Sequence, residues 1–147
     1  MTTVNPYLTF NGNCEEAFNF YKSVFGGEFL PIVHLKDVPS KDMPSRQPMS
    51  ESEGEKIMHV SLPIGQGTVL MGSDKPETFG SLTIGKNFSI SIKPESEEEA
   101  TNLFNGLSAG GQITMPLQKT FWNAYFGMFT DKFGIQWMVN YDYNQQK

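Results

Sequence analysis

The sequence predicts an α+β protein built from two βαβββ modules. The segment EEAFNFY at residues 15–21 is echoed by EEATNLF at residues 98–104. A strand-like segment precedes each copy, and a glycine pair follows it. Later in each half, residues 67–71 resemble residues 134–138. Because these features occur in the same order in both halves, we expect a duplicated module.

In the first module, residues 5–10 read as a strand and a helix follows over residues 13–25. Asn13 is the predicted N-cap, with Glu16 at the third helical position, and Gly26 is expected to stop the helix. An apolar stripe at helical spacing comprises Ala17, Phe18, Tyr21, Val24 and Phe25. Further strands are predicted over residues 29–35, 57–64 and 68–71.

The second module carries clearer signals. Residues 87–92 alternate polar and apolar side chains, as in a half-buried strand. Ser96 and Glu99 form a capping-box pattern ahead of a helix over residues 96–107, and Gly110 follows it. Phe18 and Phe104 are therefore expected to occupy equivalent buried sites. Further strands are predicted over residues 112–115, 121–130 and 135–141.

One amphipathic helix covers only one face of a sheet, so the other face of each mixed or antiparallel sheet must meet something else. We expect the two uncovered faces to form a ligand cleft. The whole chain, 1–147, is predicted to be a single domain, with module one at about 4–75 and module two at about 84–143. The segment 36–56 is rich in proline, serine and charge, and is expected to be a mobile loop.

Composition excludes several classes of function. Eleven basic against sixteen acidic residues give a net charge of −5, which leaves no basic stripe for nucleic acid and no polybasic patch for a membrane surface. The single cysteine, Cys14, excludes an internal disulfide framework and a cysteine-based zinc knuckle. The chain start lacks a signal-peptide pattern and the longest apolar stretch is too short to span a membrane. We expect a cytoplasmic protein.

The two histidines are the first candidates for chemistry. In residues 57–64, alternation places His59 and Ser61 opposite the apolar positions that should meet the helix. His59 then faces the uncovered side, as a pocket base, as a metal ligand, or as a hydrogen-bonded or surface strand residue. His34 is interpreted as structural or surface-exposed.

The aromatic segment 119–129 is the most unusual part of the chain. Both faces of the predicted strand are largely apolar, which is typical of a central or pocket-lining strand. Asn123 and Tyr125 are polar groups among aromatic ones, as in small-molecule pockets, although plain core packing explains most of the run.

The chain is similar to the PhnB-like proteins of the glyoxalase/bleomycin-resistance/extradiol-dioxygenase group, also called the vicinal oxygen chelate superfamily. The opening carries PYLTFNGNCEEA at residues 6–17 and FY-x3-FGG at residues 20–27, and the close carries TFW at 120–122 and TDKFGIQWMVN at 130–140. The resemblance covers nearly the whole chain. It implies paired βαβββ modules, a cleft between modules and a homodimer.

Catalytic members of the superfamily hold a divalent metal through His, Glu or Gln on first and last strands. The matching positions here fall near Pro6, Asn87, Met71 and Met138, which are poor ligands for a hard or borderline cation. We therefore predict no tightly bound catalytic metal at the usual superfamily position and name no metal ligands or cofactor, which leaves open a divalent metal held by an unusual ligand set. Similar sequences are sometimes labelled ubiquinone-pathway methyltransferases, but this chain lacks the strand–glycine-rich turn–helix unit of such enzymes.

Two functions remain open. In the first, the protein binds a small organic molecule without catalysis, through Phe121, Trp122, Asn123, Met71 and Trp137. In the second, it is a lyase or isomerase in which His59 is a general base and Tyr125 or Asn123 orients the substrate. The missing metal triad favours the first, and His59 favours the second.

Overall fold

The computed structural model describes residues 2–37, 51–65, 67–76 and 82–145. Most of the predicted mobile loop 36–56 lies outside the described residues. The elements follow the chain in this order: β1 (Tyr7–Phe10), α1 (Cys14–Phe25), β2 (Val33–His34), α2 (Glu51–Gly54), β3 (Ile57–Gly65), β4 (Thr68–Asp74), β5 (Ile90–Ile92), α3 (Glu97–Ser108), β6 (Gln112–Lys119), β7 (Ala124–Thr130) and β8 (Gln136–Asp142). None of the helices described has the length and apolar character needed to cross a membrane.

The chain divides into two compact units, Met1–Thr83 and Ile84–Lys147. The first holds a four-stranded sheet in the order β1-β4-β3-β2, and the second a four-stranded sheet in the order β5-β8-β7-β6. In each sheet the first strand runs parallel to the fourth, and the other neighbours are antiparallel. The identical strand order confirms the two βαβββ modules inferred from the repeats.

Phe18 of α1 and Phe104 of α3 occupy equivalent buried positions, as predicted. A methyl group added at Gly72 of β4 would lie 2.6 Å from the Phe18 ring, and one added at Gly127 of β7 would lie 2.6 Å from the Phe104 ring. Each phenyl ring therefore rests on sheet backbone at a glycine.

The glycine beneath the ring comes from a different strand in each unit. Gly72 on β4 pairs with Val60 on β3, whereas Val139 on β8 pairs with Gly127 on β7. Since β3 corresponds to β7 and β4 to β8, glycine and valine have exchanged strands within one cross-strand pair. The space for the ring is conserved between the units although its source is not.

The two long helices begin in different ways. The Ser96 side chain accepts a hydrogen bond from the Glu99 amide at 3.0 Å, which confirms the predicted N-cap of α3. Asn13 is the N-cap residue of α1, as predicted, but its side chain makes no cap hydrogen bond, so the predicted capping contact is wrong. Instead, buried Asp74 accepts bonds from the backbone amides of Gly12 and Cys14, both at 2.9 Å, and its second oxygen accepts one from Ile57 at 2.9 Å.

Four predicted strands are shorter than expected. The strand expected over residues 5–10 begins at Tyr7, and the one expected over residues 87–92 begins at Ile90. The strand expected over residues 29–35 is reduced to Val33–His34, and Pro31, which has no amide hydrogen to donate, precedes it. The strand expected from residue 121 begins at Ala124, because the three residues before it form the turn from β6. Asn123 in that turn has φ 66°, a left-handed conformation that asparagine tolerates better than most residues.

Candidate ligand-binding faces

The sheet face opposite α1, here called the helix-free face of the first unit or the His59 face, comprises Tyr7, His59, Ser61 and Met71. Tyr7 on β1, Met71 on β4 and Ser61 on β3 are direct cross-strand neighbours. Since Gly72 faces Phe18 of α1, the alternation of side chains puts Met71 on the opposite side. The prediction that His59 points away from the helix is confirmed.

His59 is held by two contacts on this face. Its Nε2 atom lies 2.9 Å from the Ser61 hydroxyl oxygen, and its ring centroid lies 5.9 Å from that of Tyr7. The hydroxyl can donate to or accept from the ring nitrogen, so it orients the imidazole in either tautomer. His34 is not opposite His59: Val33 pairs with His59, and His34 pairs with Ile57.

The second unit presents a corresponding helix-free face, here called the Phe126 face, which comprises Trp122, Phe126, Met128, Met138 and Asn140. Phe126 pairs directly with Asn140, and Met128 with Met138. The Trp122 ring approaches the Phe126 ring with centroids 5.9 Å apart. By register, Phe126 occupies the place that His59 has in the first unit, so one face is polar at this point and the other aromatic.

Tyr125 and Trp137 lie on the helix side of the second sheet. The Tyr125 hydroxyl is 3.1 Å from the Thr101 hydroxyl of α3. Trp137 is fully buried, and its indole nitrogen donates to a carboxylate oxygen of buried Asp131 at 2.9 Å. The structure therefore places both side chains in or against the core instead of on the Phe126 face, and we assign neither of them a ligand contact.

Phe121 and Asn123 belong to the turn between β6 and β7. Phe121 is 96% exposed, and its ring packs edge-on against that of Trp122 with centroids 4.9 Å apart. The Asn123 side chain donates to Asn144 at 2.9 Å. Of the predicted aromatic ligand contacts, Trp122 touches the Phe126 ring directly, and Phe121 joins the face only through Trp122.

Cys14 has the chemistry of a nucleophile but not the environment of one. It is fully buried as a free thiol at the start of α1. Burial, reinforced by the nearby carboxylates of Asp74 and Glu15, raises the pKa of the thiol. The thiolate, which is the reactive form, is therefore disfavoured.

The metal positions implied by the family resemblance do not fit a divalent cation. Met71 and Met138 lie on the two helix-free faces, and Pro6 offers its carbonyl oxygen to the Met71 amide at 3.0 Å. Asn87 lies three residues before β5. Hard and borderline cations prefer carboxylate or imidazole ligands, which these positions do not supply. Within the described ranges, no group of three His, Cys, Asp or Glu residues could hold a metal ion.

Paired βαβββ units with one helix on each four-stranded sheet define a protein of the glyoxalase fold. The family comparison agrees: residues 3–139 match the Glyoxalase/Bleomycin resistance protein/Dioxygenase superfamily. The chain belongs to this superfamily.

Similar proteins cover almost the full length. Protein YjdN of Escherichia coli strain K12 is 31% identical over 143 residues, which are 93% of each chain. The crystal structure of protein PA1353 from Pseudomonas aeruginosa is 42% identical with a TM-score of 0.82, over 97% of this chain and 98% of that one. A putative 3-demethylubiquinone-9 3-methyltransferase, PhnB protein, from Bacillus cereus is 26% identical with a TM-score of 0.71, over 95% and 99%. The resemblance to PhnB-like proteins is confirmed.

Sequence reasoning did not select four members of these faces, Tyr7, Phe126, Met128 and Asn140. Tyr7 reaches His59 because β1 pairs in parallel with β4. In this pairing Tyr7 lies opposite Met71, which is 64 residues further along the chain. Asn140 follows Met138 by two residues on β8, so alternation alone places the two on the same face. The position of Tyr7 depends instead on register, which a single strand's pattern does not contain.

Proposed function

We propose that this protein binds a small organic molecule on the helix-free faces of its two sheets. The observation that carries the proposal is the oriented pair His59 and Ser61, with Nε2 and Oγ 2.9 Å apart, on the sheet face opposite α1. Small-molecule sites combine apolar walls with a few fixed polar groups. The His59 face has this composition, since Tyr7 and Met71 flank the polar pair.

The Phe126 face supports the same proposal, but it is mainly apolar where the His59 face carries a polar pair. Phe126, Trp122 and the two methionines offer a polarisable apolar surface, on which flat ligands gain dispersion and ring-edge contacts. The superfamily to which the chain belongs is named after glyoxalase, a bleomycin resistance protein and dioxygenase, and this is consistent with recognition of small molecules.

Methyl NMR on protein labelled with 13C at the methionine methyl groups tests the proposal. Fragments that bind as proposed will shift the resonances of Met71, Met128 or Met138. Met58 is the internal control, because alternation places it on the other side of β3 and its side chain is exposed. A library that shifts none of the three methyls, or that shifts Met58 equally, would contradict the proposal.

The second candidate is a proton-transfer enzyme of the lyase or isomerase type, and the His59–Ser61 hydrogen bond is the observation that favours it. An imidazole fixed through one nitrogen has the other nitrogen available for general base catalysis. The test is deuterium exchange, followed by NMR in D2O, at carbon atoms next to the carbonyl group in a panel of carbonyl compounds. Exchange abolished by His59→Phe supports catalysis; no exchange with the wild-type protein leaves binding as the function.

We also propose a homodimer in a reducing, cytoplasmic compartment. Exposed apolar side chains on edge strand β6, Ile113 and Met115, together with Phe121, favour self-association. The free thiol of Cys14 fits a reducing compartment. Sedimentation at micromolar concentration tests the first point, and a 16.5 kDa monomer would contradict it. Cell fractionation tests the second.

A further inference from the structure

The Asn140 side chain carries a polar atom that the fold does not satisfy. Its amide oxygen Oδ1 is buried and makes no hydrogen bond with any group in the described parts of the chain. Asn140 lies on β8 in direct register with Phe126 of β7, on the Phe126 face. Buried amide oxygens in folded proteins nearly always have a partner, so this one requires an explanation.

The surroundings define what kind of partner would suit. Along β8, Met138 precedes Asn140 on the same face and Asp142 follows it. Across the sheet lies Phe126, with the Trp122 ring against it. The Asp142 carboxylate is a further acceptor, already bonded to the Asn144 amide at 2.8 Å. Acceptors next to an aromatic surface favour a ligand that donates a hydrogen bond from a flat apolar body.

We propose that Asn140 is a ligand-binding residue whose Oδ1 accepts a hydrogen bond from an N–H or O–H group of a flat, apolar ligand lying along Phe126 and Trp122. This inference rests on the proposed function and names the class of ligand for one of its two faces. An amide oxygen is a neutral acceptor, so it selects by hydrogen bonding and not by charge. A ligand of equal shape without the donor would leave this oxygen unpaired and bind more weakly.

Indole and 1-methylindole are the probes, because a methyl group replaces the N–H hydrogen in the second and removes the donor from the same ring system. Titrations followed through the Met128 and Met138 methyl resonances give both dissociation constants. The wild-type protein should bind indole roughly 3–10-fold more tightly, the ratio that corresponds to one net hydrogen bond. Asn140→Leu should abolish this preference while it leaves the affinity for 1-methylindole unchanged or higher. The matched control is Asn102→Leu on the exposed side of α3, which should keep the preference.

Thermal unfolding provides a readout that needs no ligand. If Oδ1 has no partner in the free protein, Asn140→Leu removes a buried unsatisfied group, and its melting temperature should equal or exceed that of the wild type. A lower melting temperature together with a retained indole preference would mean that the fold or a bound water satisfies the amide, and would overturn the inference.

The outcomes separate this inference from the proposed function. Equal affinities of the wild-type protein for the two probes would overturn the role of Asn140 alone. So would failure of both probes while other fragments shift the same methyl groups. A library in which nothing shifts Met71, Met128 or Met138 would overturn the proposed function and this inference with it.

Discussion

Gly72→Ala should destabilise the protein through steric overlap beneath α1. The added methyl carbon would lie 2.6 Å and 2.9 Å from two atoms of the Phe18 ring and 2.9 Å from the Leu8 carbonyl oxygen. The ring is fully buried and contacts Phe10 and Tyr21 edge-on, so it has no open space to move into. The carbonyl oxygen belongs to the neighbouring strand β1 and cannot rotate away.

The expected loss follows from these contacts. Overpacking a well-filled core costs about 1–3 kcal/mol, and the two kinds of contact place this site toward the upper end. Because alanine restricts the unfolded chain more than glycine does, the substitution also stabilises the folded state by about 0.4–1 kcal/mol. A net loss of about 1–2 kcal/mol remains. At about 2–4 °C per kcal/mol for a chain of this size, the melting temperature should fall by roughly 2–8 °C.

Urea unfolding of four variants tests the reasoning. Gly65→Ala is the matched control, because it lies on β3 with no atom within 4 Å of the added methyl group. Phe18→Leu removes the overlapping ring, so the double variant should be more stable than the sum of the single losses by about 1 kcal/mol. If Gly72→Ala is as stable as Gly65→Ala, or if Phe18→Leu gives no such relief, the account of the ring seated on Gly72 is refuted.

Three further predictions concern buried groups. The Asp74 carboxylate accepts hydrogen bonds from three backbone amides, so Asp74→Asn should lower the free energy of unfolding by about 1.5–3 kcal/mol. Asp142 is more exposed, and Asp142→Asn should change the free energy of unfolding little. Urea titration of both variants checks this. Because burial raises the pKa of Cys14, its thiol should resist alkylation in the folded protein and react fully in urea. Unfolding then releases a proton above about pH 8.5, so a Cys14-dependent part of the stability should fall as the pH rises, and Cys14→Ala should remove that fall. Acrylamide should quench Trp122, which is 48% exposed, and spare Trp137; a Trp122→Phe protein that is still strongly quenched would contradict this.

Local patterns were sufficient to predict the modules. The Ser96 cap, the apolar stripes and the repeated order of elements place α1 and α3 within a residue of where they lie. These signals work because helix capping and side-chain periodicity are decided by neighbours in the sequence.

The errors arose where distant residues decide the structure. Asp74 caps α1 from 60 residues away, which made the Asn13 signal misleading. The aromatic run was extended into a strand because its alternation continues through residue 121, whereas backbone bonds between Thr120 and Ala124 close a turn there. Tyr125 and Trp137 fell on the helix side for the same reason: composition identifies a pocket-like residue, but only register decides which face it joins.

The exchanged glycine and valine beneath Phe18 and Phe104 have a consequence for recombination between the two halves. A sheet that joined β3 to β8 would pair Val60 with Val139 and would leave no space for a phenyl ring. A sheet that joined β7 to β4 would pair Gly127 with Gly72 and would leave a cavity beneath the ring. A transferred hairpin, β3 with β4 or β7 with β8, would carry its glycine on the opposite strand from the one beneath the recipient's phenyl ring, so it keeps the ring contact only if its own helix moves with it. The helix together with its hairpin is therefore the smallest segment that the two halves could exchange without damage.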